Sequence, residues 1–214
     1  MDLAEGIKMA TAKDCQEVAC APEEDCKLNP NFIDNMEPKF GEEECLLSCE
    51  AVIKFSDPGC VNLKNSNGKI AFFKKEEEVV IFEEMTDHEK IENAPWTQFM
   101  LQMYCCNGPT SLVAFSVKSE NESYILSCKN YQELHFKHGD FPYTIEDKDQ
   151  DILFWQSKVI GCEKVEFKSF LYPEYYLAWE KIQDKYEILV LKKKLDNVEM
   201  STMFTYERNR NYEN

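Results

Sequence analysis

The sequence predicts an all-β chain, a threefold barrel behind an acidic N-terminal segment, and three observations carry that prediction. Short apolar runs alternate with turn clusters from Cys60 onward, and no segment holds a 3.6-residue apolar stripe long enough for a major helix. A strand-pair pattern also recurs. Tyr124-Ile-Leu-Ser-Cys-Lys129 with Leu134-His-Phe136 matches Tyr176-Leu-Ala-Trp-Glu-Lys181 with Ile188-Leu-Val190, the tyrosines lying 176 − 124 = 52 positions apart. Another step of that size lands on Phe72-Phe-Lys-Lys75, followed by Val79-Val-Ile-Phe82, the weakest copy. A period of about fifty describes three copies of one supersecondary unit that close a core only together.

The third observation is a break in composition. Residues 1–59 hold 14 Asp and Glu against 5 Lys, a net of −9, which leaves −16 − (−9) = −7 for residues 60–214. The acidic segment is punctuated by Gly6, Pro22, Pro30, Pro38, Gly41 and Pro58 and shows little periodicity. It reads as a loosely packed prosegment ending between residues 50 and 60, with short strands near Asn31–Asp34 and Ala51–Phe55.

Each later element has its own signal. Asn65-Ser-Asn-Gly68 is a hairpin turn before Lys69-Ile-Ala-Phe-Phe73. Thr86 to Glu92 reads as a short helical turn. Thr97–Tyr104 is a long strand that Cys106-Asn-Gly-Pro109 turns back into Leu112–Val117. Ile152–Gln156 and Met203–Tyr206 supply further strands, and Tyr172-Pro173-Glu174 breaks Phe167–Val190 in two.

Composition excludes several functions. A phosphate footprint needs clustered Lys and Arg, which a net charge of −16 disfavours, so neither nucleic acid nor an anionic membrane is expected as a partner. No stretch approaches the ~20 apolar residues of a membrane helix. The first residues lack a basic region followed by an apolar run, so synthesis in the cytosol is expected, with ten reduced thiols. On that reading the Asn121-Glu-Ser123 sequon does not meet a glycosyltransferase.

No chemistry stands out. His135 and His138 are three apart and point to opposite faces of a strand, and His88 is isolated. Cys45/Cys49 and adjacent Cys105/Cys106 lack the paired spacing of a zinc knuckle; one packed and one exposed thiol is the expectation for the latter pair. Phosphate-loop, nucleophile-elbow and metalloprotease motifs are absent. No enzyme activity, metal or cofactor is therefore expected. The runs Glu76-Glu-Glu78 and Lys192-Lys-Lys194 read as solvated faces.

Phe167, Ser169, Pro173, Tyr176, Leu177 and Ala178 match the signature of the interleukin-1 family, which the chain resembles over about residues 62–206. The interleukin-18 branch is the nearest likeness, through Phe82-Glu-Glu-Met-Thr-Asp87, Asn93-Ala-Pro95, Leu126-Ser-Cys128, Asp151-Ile-Leu-Phe-Trp-Gln156, Leu191-Lys-Lys193 and Met203-Phe-Thr205 in order. The resemblance implies a β-trefoil of about twelve strands and a monomeric pro-inflammatory cytokine precursor, released by a leaderless route and trimmed. It implies an alpha and a beta receptor chain of immunoglobulin type, the branch's soluble binding protein, a maturing protease, and interferon-γ production by T and NK cells.

Receptor contacts carry over to Lys64, Met85, Asp87, Lys137 and Asp151, while Gly68 stands where the branch has an acid and Ile91 where it has an arginine. The aligned processing bond is Glu50-Ala51, although the family's caspases cut after Asp; maturation by another enzyme, at another bond such as Asp34-Asn35, or inefficiently is therefore expected, and a caspase-1 role is disfavoured. The competing reading is a non-signalling trefoil module, a decoy or a lectin-like or inhibitor domain.

Overall fold

The structure, a computed structural model, describes residues 52–105, 111–119, 122–129, 133–182, 186–195 and 198–209. Its strands are β1 (Val52–Lys54), β2 (Gly59–Asn65), β3 (Ile70–Lys74), β4 (Val79–Glu83), β5 (Phe99–Cys105), β6 (Ser111–Ser119), β7 (Glu122–Lys129), β8 (Glu133–His138), β9 (Thr144–Ile145), β10 (Phe154–Lys158), β11 (Val165–Ser169), β12 (Tyr175–Ile182), β13 (Tyr186–Lys193) and β14 (Phe204–Arg208). One helix, α1 (Asp87–Glu92), lies between β4 and β5.

Six strands close a ring. β2 pairs with β5, β5 with β6, β6 with β10, β10 with β11, β11 with β14, and β14 returns to β2, every pair antiparallel. Closure removes sheet edges, which is how a β chain avoids presenting unpaired backbone. The hairpins β3–β4, β7–β8 and β12–β13 stand outside that ring. Each unit thus contributes two barrel strands and one hairpin, and the units open at Gly59, Ser111 and Val165. This is the β-trefoil, and Phe72, Tyr124 and Tyr176 fall on the first strands of its three hairpins.

Alternation fills the barrel. Leu63, Phe99, Phe115, Phe154, Phe167 and Phe204, one from each ring strand, are at most 2% exposed and belong to one core. Phe167 meets Phe115 edge-on at 4.9 Å and Phe204 at 6.0 Å. Phe73, Tyr124 and Phe136 from two hairpins pack beneath, Phe73 lying 4.3 Å from Phe136 and 5.3 Å from Tyr124.

The count of fourteen exceeds twelve because β1 and β9 are additions. β1 pairs with β5 and β9, covering a second apolar cluster of Tyr104, Leu112, Ala114, Ile125, Ile152 and Leu153 on the outside of the barrel wall. An apolar outer face must be shielded from water, and these short strands do so. β1 falls within the segment read as prosegment, inside the interval given for its end. Several expected strands start later than the sequence indicates: β3 at Ile70 rather than Lys69 and β5 at Phe99 rather than Thr97, with β10 and β14 displaced by helical turns. Asp147–Ile152 and Met200–Thr202 are 3-10 turns, so β10 begins at Phe154 and β14 at Phe204. The expected strand at Asn31–Asp34, the turn at Cys106–Pro109, Cys45, Cys49, Asn121, and the processing positions Asp34, Asn35, Glu50 and Ala51 lie outside the described residues.

Candidate functional site

Two of the predicted contact residues meet on one surface. Lys64 lies on β2 opposite Thr205 of β14, and Glu207 follows two residues along the same face. The register brings Lys64 Nζ to 2.5 Å from Glu207 Oε1 across 143 positions of sequence. Asp87 opens α1, whose N-cap is Thr86: the Thr86 hydroxyl accepts from the Glu89 amide at 3.3 Å, and the Glu89 carboxylate accepts from the Thr86 amide at 2.7 Å. No residue of this six-residue helix is buried, so tethers place it. Thr97 Oγ1 donates to the Lys90 carbonyl at 2.8 Å, and Lys90 Nζ lies 2.5 Å from Asp87 Oδ1 and 4.0 Å from Glu207 Oε2.

The result is a chain of alternating charges, Lys64, Glu207, Lys90 and Asp87. The hydrogen bond and charge of Lys90, with a smaller contribution from Lys64, hold the Asp87 carboxyl below the usual carboxylate range. Met85 is half-buried just ahead of the cap, and Ile91 is 75% exposed on α1. Gly68, in the β2–β3 turn, has φ +79°, with open space where a Cβ would stand. Asp and Asn tolerate that left-handed conformation better than other side chains, so an acid in the same place is sterically allowed.

Lys137 and Asp151 form a separate group. Asp151 lies in the 3-10 turn, its side chain only 16% exposed. It accepts from the Lys137 ammonium at 2.6 Å and from the Ser127 hydroxyl at 2.5 Å. Lys137 also reaches the Lys148 carbonyl at 3.4 Å. This arrangement clasps the turn to β7 and β8, and Lys137 is its more exposed member, at 36%.

The signature residues span the barrel strand β11, the turn after it and the hairpin strand β12. Phe167, Ser169, Leu177 and Ala178 are buried, Tyr176 is half-buried and Pro173 is exposed in the turn. Ser169 Oγ accepts from the Tyr172 amide at 3.1 Å, which closes the β11–β12 turn. Tyr176 carries Lys194 Nζ over its ring at 5.1 Å.

Other charges are consumed by the fold. The Lys192–Lys194 run is paired in full: Lys192 with Glu199 at 2.7 Å, Lys193 with Glu174 at 2.9 Å, and Lys194 with Glu166 at 2.7 Å. Glu166 also accepts from the Thr202 hydroxyl. Glu187, 6% exposed, accepts from Asn65 at 2.6 Å, Lys69 at 2.9 Å and Asn67 at 3.3 Å. An open pocket of 330 Å³ beside Trp96 is walled by Phe72, Lys74, Lys75, Glu76 and Glu77. Lys75 there pairs with Glu122 at 2.5 Å, and this hydrogen bond raises its pKa.

Among the described residues, thiol and imidazole groups show no assembled site. Cys60 and Cys128 are buried, Cys105 and Cys162 exposed. Burial pushes the Cys128 thiol up to about 12, which makes it a poor nucleophile. His138 packs its ring 4.8 Å from that of Tyr124. Among the described residues no three His, Cys, Asp or Glu are grouped to hold a metal ion, and no helix is long and apolar enough to cross a membrane.

Sequence reasoning missed Lys90, Glu207 and Ser127. The i, i+3 spacing of Asp87 and Lys90 on a capped turn signals the first. Only pairing of the first barrel strand with the last reveals the second.

Comparisons with known proteins agree with this architecture. The family model described as Interleukin-1 / 18 matches residues 88–204. Mouse interleukin-18 is 38% identical over 144 residues, covering 67% of this chain and 72% of that protein. Human interleukin-18 is 35% identical over 193 residues, covering 88% of this chain and 97% of that protein. The crystal structure of chicken interleukin-1 beta superposes with a TM-score of 0.55 at 13% identity, over 72% of this chain and 98% of that one, and so bears on the fold alone.

Proposed function

Since the chain belongs to the interleukin-1 family, as an interleukin-18-like cytokine, we propose that it is the precursor of a signal that binds the interleukin-18 receptor alpha and beta chains and drives interferon-γ production in T and NK cells. Identity running through nearly the full length of human interleukin-18 carries this reading. Cytokines of this kind act outside the cell and are not enzymes. The site geometry supports a receptor role for Lys64 and Asp87, which share one surface on a rigid barrel and suit an electrostatically steered encounter. Met85 borders that surface. Lys137 offers a second contact, with Asp151 holding it in place. The interleukin-18 binding protein, a soluble competitor, would use the same surfaces.

The acidic segment read as residues 1–59, with its end between 50 and 60, serves as the propeptide, and the ring of the trefoil begins near residue 60. An aspartate-shaped pocket fits the longer Glu50 side chain poorly, so maturation is proposed at Glu50-Ala51 by another protease or inefficiently by caspase-1, or else at another bond such as Asp34-Asn35, which follows an Asp. The deciding experiment measures binding of the full chain, and of the chain trimmed before Ala51, to the two receptor ectodomains under reducing conditions. Binding by the trimmed form alone is expected. Binding by neither overturns the receptor reading and leaves a trefoil put to another use.

A further inference from the structure

We infer that Glu207 is a built-in competitor on the Lys64–Asp87 surface: its carboxylate occupies Lys64 and borders Lys90, so an acidic group on the receptor has to displace it. This inference rests on the receptor reading above.

Three observations support it. The contact is fixed by strand register, since β14 pairs with β2 over five residues and sets Glu207 beside Lys64. The order of exposure places the acid outermost: the side chains of Lys64 and Lys90 are 23% and 16% exposed, that of Glu207 58%. The neighbouring cation is occupied as well, because Lys90 Nζ already lies 2.5 Å from Asp87. A partner carboxylate approaching Lys64 therefore exchanges one acid for another and gains little, while also meeting the Glu207 charge. Removing that charge leaves Lys64 free to pair with the partner.

The test compares receptor-ectodomain binding by the unaltered chain, Glu207→Gln, Lys64→Met and the double variant, in whichever of the full or matured forms binds. Glu207→Gln should bind roughly two- to fivefold tighter, the scale of one exposed ion pair. Faster association at low salt should supply most of the gain, which should vanish in the Lys64→Met background. As a readout free of receptor, the Lys64 amine should react faster with an acylating reagent in Glu207→Gln. Unchanged or weaker binding by a normally melting Glu207→Gln overturns the inference while the receptor reading stands. If the unaltered chain binds no receptor, both fall.

Discussion

Two lysines at either end of the β2–β3 turn hold a carboxylate each, and the pairs do different work. Lys69 meets Glu187 where the carboxylate is 6% exposed and also takes hydrogen bonds from Asn65 and Asn67. Asn65 in turn accepts the amides of Asn67 and Lys69 at 3.0 Å, so the turn is pinned to β13. Lys64 meets Glu207 in the open, where water screens the attraction. The first arrangement is structural because losing one partner strands buried polar groups. The second is adjustable because losing it leaves solvated ones.

Replacing Glu187 by Ala should have the largest effect on stability. The Asn65 amide and Lys69 ammonium lose their partner, a loss of about 3 kcal/mol, and Tm by calorimetry should fall by roughly 6–12 °C. Asp151→Asn weakens the Ser127 and Lys137 bonds in a partly buried clasp and should cost about 1–2 kcal/mol by denaturant unfolding; a loss as large as for Glu187 would move this clasp into the structural class.

Acid titration sharpens the contrast further. Burial raises the Glu187 carboxyl, but hydrogen bonds and charge from Lys69, with Asn65 and Asn67, outweigh it and hold the group below the ordinary value of 4.5. A carboxyl depressed on folding adds stability that is complete above its unfolded pKa and disappears as pH falls through the folded one. The difference in Tm between the unaltered chain and Glu187→Gln should accordingly stay constant from pH 7 to 5 and shrink below 4.5. Asp87→Ala comes last, its side chain being 93% exposed. Its denaturation midpoint should be unchanged, because water already screens this ion pair, while receptor binding drops about tenfold, the cost of losing one charged contact. Equal losses in stability and binding would erase the distinction between the two regions.

Much of the barrel was legible in the chain. The 52-residue spacing of Phe72, Tyr124 and Tyr176 located the three hairpins because each unit must offer the same apolar residues to a shared core. The short helical turn read from Thr86 to Glu92 is α1 with its N-cap, whose Thr86–Glu89 capping box the structure adds. Starts of β10 and β14 were misjudged by one or two residues because Ile152 and Met203 are as apolar as the strands they precede, though both lie at the ends of 3-10 turns. β9 left no signal, since two residues, Thr144 and Ile145, are too few to show alternation.

The all-β class, the threefold repeat, the acidic N-terminal segment and the family can be read along the chain, because they follow from patterns of side-chain chemistry. Which charges answer one another is set by the folded barrel. Lys64 finds Glu207 across 143 positions, and Asn65 finds Glu187 across 122, because the last strand closes on the first and β13 lies against the opening turn. Coulomb attraction and hydrogen bonding depend on distance in space, and barrel closure sets that distance.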